Sequence, residues 1–393
     1  MSTKSNLTVD ELSFSRVAIS AKTTWIFVSV TLSDGTKGFG EATDFANAAA
    51  IESTLALLAQ VVASERPAPI APALSLLAGK HVSIARKTVS AAFEQAILDA
   101  MARRCDIPLA VMLGGAYRQQ VPTYANINRG IPDRSPEGFA AQARAVIADE
   151  GYGALKIAPF DGFSWDSAPD RAALDTGLAR IGAVRDAVGP DVRLLIDCHS
   201  RLNPATAALV IRETAPLSPF WIEDPVDATR FSARDQRQLR SLGQQQGIRL
   251  AGGESLETLG DTRRLLDDGA FDVILPDLRL TGVRNGMAIL ELATSCGVEA
   301  SLHNPVGPIL DAVSRHVAAA LPSFLILERQ VRESPLYTEI AGGRLEIENG
   351  KVGLGQGPGS GLNVDTNAMQ RAASAAQPQV LSFAGIPGAG PDA

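Results

Sequence analysis

Asp197, Glu223 and Glu254 each close a short apolar run, in RLLIDCHS, PFWIEDPV and RLAGGES, at intervals of 26 and 31 residues. A run such as Leu194-Leu195-Ile196 suits a parallel strand covered on both faces, so an acid directly after it stands at the strand's carboxyl end. Three carboxylates gathered there would repel one another and titrate upward unless a divalent cation held them. The spacing therefore reads as a Mg2+ site formed by Asp197, Glu223 and Glu254. Any one of these acids alone reads better as a strand-end residue capping the next helix. Repetition at the length of one strand plus one helix separates the two readings, and it continues. Asp277 follows VILP 23 residues beyond Glu254, and His303 follows ASL 26 residues further on.

The elements that must position these groups are legible from the same periodicity. From Val121 the texture is strand, loop and amphipathic helix, repeated, with apolar strands at VPTYANIN, YGALKIA, VRLLIDCH, PFWIEDP, IRLAGGES, DVILPD, EASLHN and SFLILERQ. Helical patterns such as DRAALDTGLARIGAVRDAVG and GMAILELATSCG end in glycine, as helix C-termini prefer. Alternation of this kind without a Rossmann glycine fingerprint predicts a (β/α)8-type barrel over residues 119–332, in which catalytic groups collect at the carboxyl ends of the strands. Ahead of it, TTWIFVSVTLSDGTKGFGEAT alternates around Ser33-Asp34-Gly35 as a hairpin, and two helical stretches follow. Together these predict an N-terminal α+β capping domain over residues 1–118. After Arg332, GGRLEIENGKVGLG reads as a second hairpin, expected to return to the cap within residues 333–370. The Ala/Pro/Gly-rich end, residues 371–393, reads as a mobile tail.

Composition bounds the function. In 393 residues, 46% apolar and 20% charged, there is material for a large core and a smaller partner domain. A net charge of -7 with interspersed signs leaves no electrostatic footprint for nucleic acid. An anionic substrate must then be held by local charge. The N-terminus is polar and lacks an apolar core, which argues against a secretory signal and for a cytoplasmic protein. The longest uncharged apolar stretch, VAAALPSFLIL, is too short and too interrupted to cross a membrane. Cys105, Cys198 and Cys296 lack metal-binding spacing and read as reduced, mostly buried thiols.

At this point the residues carry a resemblance. GFGEAT, LKIA, DCHSR, WIEDP, AGGES, LPDLRLTG, LHNPVGPI and LERQ, spread over nearly the whole chain, resemble an enolase-superfamily protein of the mandelate racemase group. Asp-x-His-x-Arg on strand three and His-x-Pro-x-Gly-Pro on strand seven are similar to galactonate-type sugar-acid dehydratases. The resemblance implies a Mg2+-dependent hydro-lyase that takes the proton α to a carboxylate from an aldonate or aldarate and expels the β-hydroxyl. Its product would be a 2-keto-3-deoxy acid, and its expected partners are a small-molecule carboxylate substrate and further copies of the chain in a homo-oligomer.

The residue chemistry agrees. An α-proton is very weakly acidic, so the enediolate formed on its loss needs strong charge stabilisation. His303 is the candidate base, oriented by Asp277; a lone strand histidine would more often be a core residue. His199, two residues beyond Asp197, would share its face by strand alternation and could protonate the leaving hydroxyl, or else be a structural histidine or a partner of a metal ligand. Lys156 could meet the substrate carboxylate or the forming enediolate, or else be a lysine at the barrel rim. Glu328 could bind the substrate if it holds or shares a proton, or else cap a helix or form a salt bridge. Asn126, Asn128 and Arg129 could contact substrate hydroxyls or simply form turns. His81 and His316 lack a supporting constellation and read as structural. Where many relatives have Lys-x-Lys, this chain has Lys156-Ile157-Ala158, which disfavours a two-base racemase. An epimerase or cycloisomerase, and a non-catalytic relative, are the alternatives; the five intact positions from Asp197 to His303 argue against the second.

Overall fold

A computed structural model describes residues 8–20, 23–44, 47–64, 68–69 and 83–375. His81 and the chain beyond residue 375 lie outside the described residues. The cap is an antiparallel sheet of β1 (Thr8–Ala18), β2 (Thr24–Leu32), β3 (Lys37–Glu41) and β4 (Ala68–Pro69), in the order β3-β2-β1-β4. The inward residues of β1 and β2, among them Leu12, Ile26, Val28 and Val30, pack on the helices Ala48–Ser64 and Ile84–Arg104. Gly38 and Gly40 let β3 lie directly on the second helix. A Cβ on Gly40 would come within 2.0 Å of the Ala92 carbonyl oxygen, so no larger residue fits without moving backbone.

All eight expected barrel strands are present. They are β5 (Gln120–Asn126), β6 (Ala154–Ile157), β7 (Arg193–Asp197), β8 (Trp221–Glu223), β9 (Arg249–Gly252), β10 (Val273–Ile274), β11 (Glu299–Leu302) and β12 (Ile326–Gln330). They pair in parallel in chain order, and β12 closes on β5. Side-chain oxygens of Ser135, Asp170, Asn203, Ser232 and Thr258 accept backbone N–H groups at the starts of the intervening helices, which fixes where each helix begins. Strand alternation then sorts the residues. Outward-facing Leu155, Ile157, Leu194, Ile196, Ile222 and Ile274 meet the helices. Inward-facing Tyr124, Ala154, Leu195, Trp221, Ala251, Leu275 and Ile326 fill the barrel. Two residues beyond those inward positions the alternation delivers Asn126, Lys156, Asp197, Glu223, Asp277 and Glu328, so a layer of charge lies directly above an apolar plug.

The chain after β12 departs from expectation. The second hairpin, β13 (Ile347–Glu348) and β14 (Lys351–Gly353), does not join the cap sheet; β14 pairs antiparallel with β5 at the barrel's first strand. The return to the cap is made by side-chain packing instead, with Ile340, Leu362, Ala368 and Met369 against Trp25 and Phe27. The helix Thr366–Ala375 also runs past residue 371, where a tail was expected to begin. Cys198 is buried, but Cys105 and Cys296 are exposed free thiols, contrary to the expected burial. No helix among the described residues is long and apolar enough to cross a membrane.

The cap is fastened to the barrel by carboxylates that serve the open N–H groups at the starts of barrel helices. Glu41 accepts from Gly307 (2.6 Å), Ile309 (3.2 Å) and Leu310 (3.1 Å), at the start of the helix Pro308–Ala320. Glu94 accepts from the Val283 N–H at 2.8 Å, at the start of the helix Val283–Ser295. Burial pushes the Glu41 carboxyl up to about 7, although the N–H donors and Thr43 pull the other way. Its folded pKa thus lies above the unfolded value, so its contribution to stability falls as pH rises from about 4.5 to about 7. Glu41→Gln should remove that fall: the stability difference between wild type and variant, from urea denaturation across this window, should change by up to about 3 kcal/mol. A pH-independent difference would contradict the assignment.

Candidate active site

The charged layer is organised around Lys156, whose side chain is fully buried. Its Nζ lies 2.6 Å from Glu223 Oε1, 2.9 Å from Glu328 Oε1 and 3.6 Å from Asp197 Oδ2. Beneath it stands the Tyr124 ring, 5.7 Å from Nζ, stacked edge-on against Trp221. Burial disfavours the ammonium, but Glu223 and Glu328 outweigh it and hold the Lys156 pKa well above its ordinary value. Glu223 is fixed from its other side by the Trp221 Nε1–H at 3.0 Å, a same-face neighbour two residues earlier. Burial nevertheless pushes Glu223 up to about 7, with Asp197 and Glu328 adding to it against the pull of Lys156.

Asp197 and Glu223 are direct register partners on adjacent strands. Burial would raise Asp197, yet His199 and Lys156 overcome it and hold the carboxyl below the usual range. Glu254 arrives differently. β9 ends at Gly252, and Gly253 turns the chain at a φ of +101° before the glutamate, so a left-handed turn rather than strand alternation delivers it. Its Oε2 stands 3.1 Å from His303 Nε2. The three expected metal ligands thus occupy three successive strand ends, and each is turned to a cation: Asp197 to His199, Glu223 to Lys156, Glu254 to His303. Among the described residues, no group of three His, Cys, Asp or Glu side chains converges as a finished metal cage.

The expected dyad is formed. Asp277 and His303 are bridged through their backbones beyond the ends of β10 and β11, and Asp277 Oδ2 lies 3.0 Å from His303 Nδ1. Burial raises Asp277, but Arg279 and His303 outweigh it and keep it ionised, which places the imidazole proton on Nδ1. Burial works against a charged His303, whereas Glu254, Asp277 and Glu328 together hold its pKa up to about 10. Arg279, 3.2 Å from Asp277, also pairs with Asp44 of the cap, so the dyad's orienting acid is tied across the domain junction.

Other expected residues are present in altered settings. His199 lies on a turn at φ +47°, not on the strand, and its half-exposed ring reaches Asp197 Oδ2 at 3.0 Å. Asp197 raises its pKa. The alternation argument for His199 therefore fails, although its neighbour is the expected one. Glu328 accepts from Lys156, from Asn126 Nδ2 at 2.6 Å and from the Asn304 N–H at 2.9 Å. Burial alone would favour the proton, but Lys156 and His303 lower the Glu328 pKa, so the arrangement is that of the salt-bridging acid rather than of one that holds or shares a proton. Asn126 is engaged by Glu328, and Asn128 donates to Asn126 and accepts from the Ala158 N–H, so both amides brace the mouth from within. Arg129 pairs with Glu333. His316 accepts from the Ala110 N–H and is buried, in keeping with a structural reading.

Sequence reasoning missed Asp224, Arg279 and Asn304. Asp224, at φ +36°, is pushed well above the carboxylate range by burial and then by Glu254 and Glu223. Gly252 makes room for it: a Cβ there would lie 2.4 Å from Asp224 Oδ1. Adjacency to Glu223 and to His303 was the available signal for Asp224 and Asn304. Nothing local announces that Arg279 meets Asp44, 235 residues away.

Residues 138–368 match the family model described as Enolase C-terminal domain-like, and residues 6–114 match the Mandelate racemase / muconate lactonizing enzyme, N-terminal domain. The chain is 32% identical over 352 residues to D-gluconate dehydratase of Thermoproteus tenax, covering 88% of this chain and 69% of that protein. It is 28% identical to D-xylonate dehydratase of Haloferax volcanii, covering 88% and 84%, and 27% identical to D-galactonate dehydratase of Ralstonia pickettii, covering 75% of each. Among solved structures, an enolase-superfamily member from Salmonella Typhimurium superposes with a TM-score of 0.80 at 23% identity, over 93% of this chain and 98% of that one, which shows the fold.

The buried cluster yields a stability prediction. Lys156→Met leaves Glu223 and Glu328 without their shared counter-ion, and chemical denaturation of chelator-treated protein should show a loss of about 3–5 kcal/mol. Adding Glu328→Gln to that variant should restore part of it. A Lys156→Met protein as stable as wild type would mean that the ammonium is not what holds these carboxylates.

Proposed function

The chain belongs to the enolase superfamily, in the mandelate racemase/muconate lactonizing enzyme group, as a hydro-lyase, and on that premise we propose that it is a Mg2+-dependent dehydratase of a sugar acid. The observation that carries the reading is the His303–Asp277 dyad facing Glu254 across a mouth lined with carboxylates. The relatives named for gluconate, xylonate and galactonate dehydration support an aldonate as substrate.

The donor set fits a hard divalent cation. Asp197, Glu223 and Glu254 offer oxygen alone, and the raised Glu223 and Asp224 mark a mouth with more negative charge than its own cations balance. Bound there, Mg2+ would act as a Lewis acid towards the negative charge that develops on the substrate carboxylate. His303 Nε2 removes the C2 proton. Asp277 keeps the ring oriented through Nδ1, and withdrawal of Glu254 from Nε2 both frees that nitrogen and lifts the carboxylate that most favours the charged ring. His199 donates the proton with which the C3 hydroxyl leaves as water, and the resulting enol gives up its C2 hydroxyl proton and takes one at C3 to become the 2-keto-3-deoxy acid. Ala158, in the place of a second lysine, carries no base, which favours elimination with one base over racemisation with two.

A sugar-acid library screened with a keto-acid assay identifies the substrate. Chelation should then abolish turnover and Mg2+ restore it, while Glu223→Gln binds the metal much more weakly by calorimetry. Full turnover after exhaustive chelation would remove the metal from the mechanism.

The two histidines should be separable by proton NMR of the substrate in D2O. His199→Asn should still exchange the C2 proton while dehydration falls by roughly 10²–10⁴, as for a lost general acid. His303→Asn should lose both. Exchange that persists only in His303→Asn would reverse the roles, and rapid dehydration by both variants would exclude them.

A further inference from the structure

His303 does not have Asp277 to itself. Asp277 Oδ1 accepts the Arg279 N–H at 2.7 Å, at the start of the short helix Leu278–Thr281. Its Oδ2 is shared between His303 Nδ1, at 3.0 Å, and the Nε and Nη2 of the Arg279 guanidinium, each at 3.2 Å. A guanidinium satisfies a carboxylate best as a fork, with two N–H groups on two oxygens. Here both nitrogens converge on one oxygen at the long end of the hydrogen-bond range, which leaves the closer approach to the imidazole.

What draws the guanidinium back from Asp277 belongs to the cap. Arg279 Nη1 donates to Asp44 Oδ2, in the segment that follows β3. Asp44 is itself anchored, because its Oδ1 accepts from the backbone N–H and the side-chain Nδ2 of Asn47, at 3.1 and 2.9 Å, directly ahead of the helix Ala48–Ser64. Asp44, Arg279 and Asp277 are all buried, so solvent screens these charges weakly. A carboxylate fixed to the cap thus pulls on one arm of an arginine whose other arm reaches the dyad.

A second cap acid grips the same stretch of barrel in a different way. Glu94 accepts from the Val283 N–H and, at 2.7 Å, from Arg284 Nε. Gly282, at φ +72°, leaves room for it, since a Cβ there would lie 2.3 Å from Glu94 Oε2. Asp44 and Glu94 thus bracket residues 277–284 from the cap, but their partners differ. Glu94 completes a helix start, whereas Asp44 meets the arginine that competes with His303 for Asp277.

We propose that Asp44 is a positioning residue for the reaction: by holding Arg279 towards the cap it leaves Asp277 Oδ2 to His303, so the ring that takes the C2 proton is aimed only when the cap is seated. Its role in turnover rests on the proposed dehydratase reaction, whereas the aiming of the ring stands on the contacts alone. Asp44→Asn keeps the shape and an acceptor for Asn47 but loses the charge. The first readout needs no substrate: nitrogen NMR shifts of the His303 ring in full-length, histidine-labelled protein, assigned by their loss in His303→Gln. The Nδ1 resonance should move upfield in Asp44→Asn as Arg279 takes over the shared oxygen. On the sugar acid found by the keto-acid screen, kcat should fall by roughly 10–10², as for a catalytic group set slightly out of place, with KM nearly unchanged. Exchange of the C2 proton in D2O should fall in step. Glu94→Gln, which loosens the cap's other grip, should leave both the resonance and kcat in place. Circular dichroism establishes folding; should Asp44→Asn not fold, Asp44→Ser removes the same charge and still accepts from Asn47. An unmoved Nδ1 resonance would overturn the proposal, as would an equal loss in Glu94→Gln, which would make Asp44 one fastener among others. A moved resonance with kcat as in wild type would overturn the role in turnover. A moved resonance in a protein that dehydrates no sugar acid would uphold the aiming of the ring and remove the dehydratase reading instead.

Discussion

Compensation of buried negative charge is the constraint on which this molecule turns. Asp197, Glu223, Asp277 and Glu328 are almost wholly removed from water, with Asp224 and Glu254 beside them. Isolated carboxylates in such a place would take up protons or unfold the protein. They persist because a few cations are shared: Lys156 among three of them, His303 between Asp277 and Glu254, Arg279 between Asp277 and the cap. The sharing is incomplete, as the raised Glu223 and Asp224 record. The divalent cation proposed for this mouth would relieve repulsion already present there.

The two parts of the fold divide the labour by the type of interaction each makes. The barrel's apolar plug, with Tyr124 and Trp221 against each other, gives the charged layer a rigid, dry floor. The cap contributes carboxylates that complete barrel helices: Glu41 and Glu94 take up N–H groups that would otherwise be unsatisfied. Asp99 likewise joins the Phe39 N–H of the cap to the Ser360 N–H of the returning chain. Because these bonds are short and buried, cap position and barrel position are fixed together. Asp44 extends the same logic to the site, since its partner Arg279 is the residue that holds Asp277.

Hydrogen-bonded asparagines join neighbouring charges into one framework. Asn304 donates its backbone N–H to Glu328, and its amide reaches the Glu328 carbonyl, Asp311 and Ser314. Asn126 and Asn128 do the corresponding work on the other flank. Fully satisfied networks of this kind give each acid one orientation, which matters more for catalysis than the modest net stability of each bond.

Period-two alternation and the strand-plus-helix interval determined by themselves that Asp197, Glu223, Asp277, His303 and Glu328 would stand at the mouth of a closed parallel barrel, because side-chain direction along a strand is a local property of the backbone. They determined equally that an antiparallel hairpin and two helices would precede it. Tertiary structure alone decided what local rules do not reach. His199 and Glu254 are aimed by left-handed turns, whose direction depends on neighbouring backbone rather than on alternation. The hairpin Ile347–Gly353 pairs with β5 instead of the cap, since strand partners are chosen by the edges that folding leaves open. Whether Glu328 holds a proton, and which loop reaches Arg279, follow from charges brought together across more than a hundred residues of chain, and such contacts leave no periodic trace in the sequence.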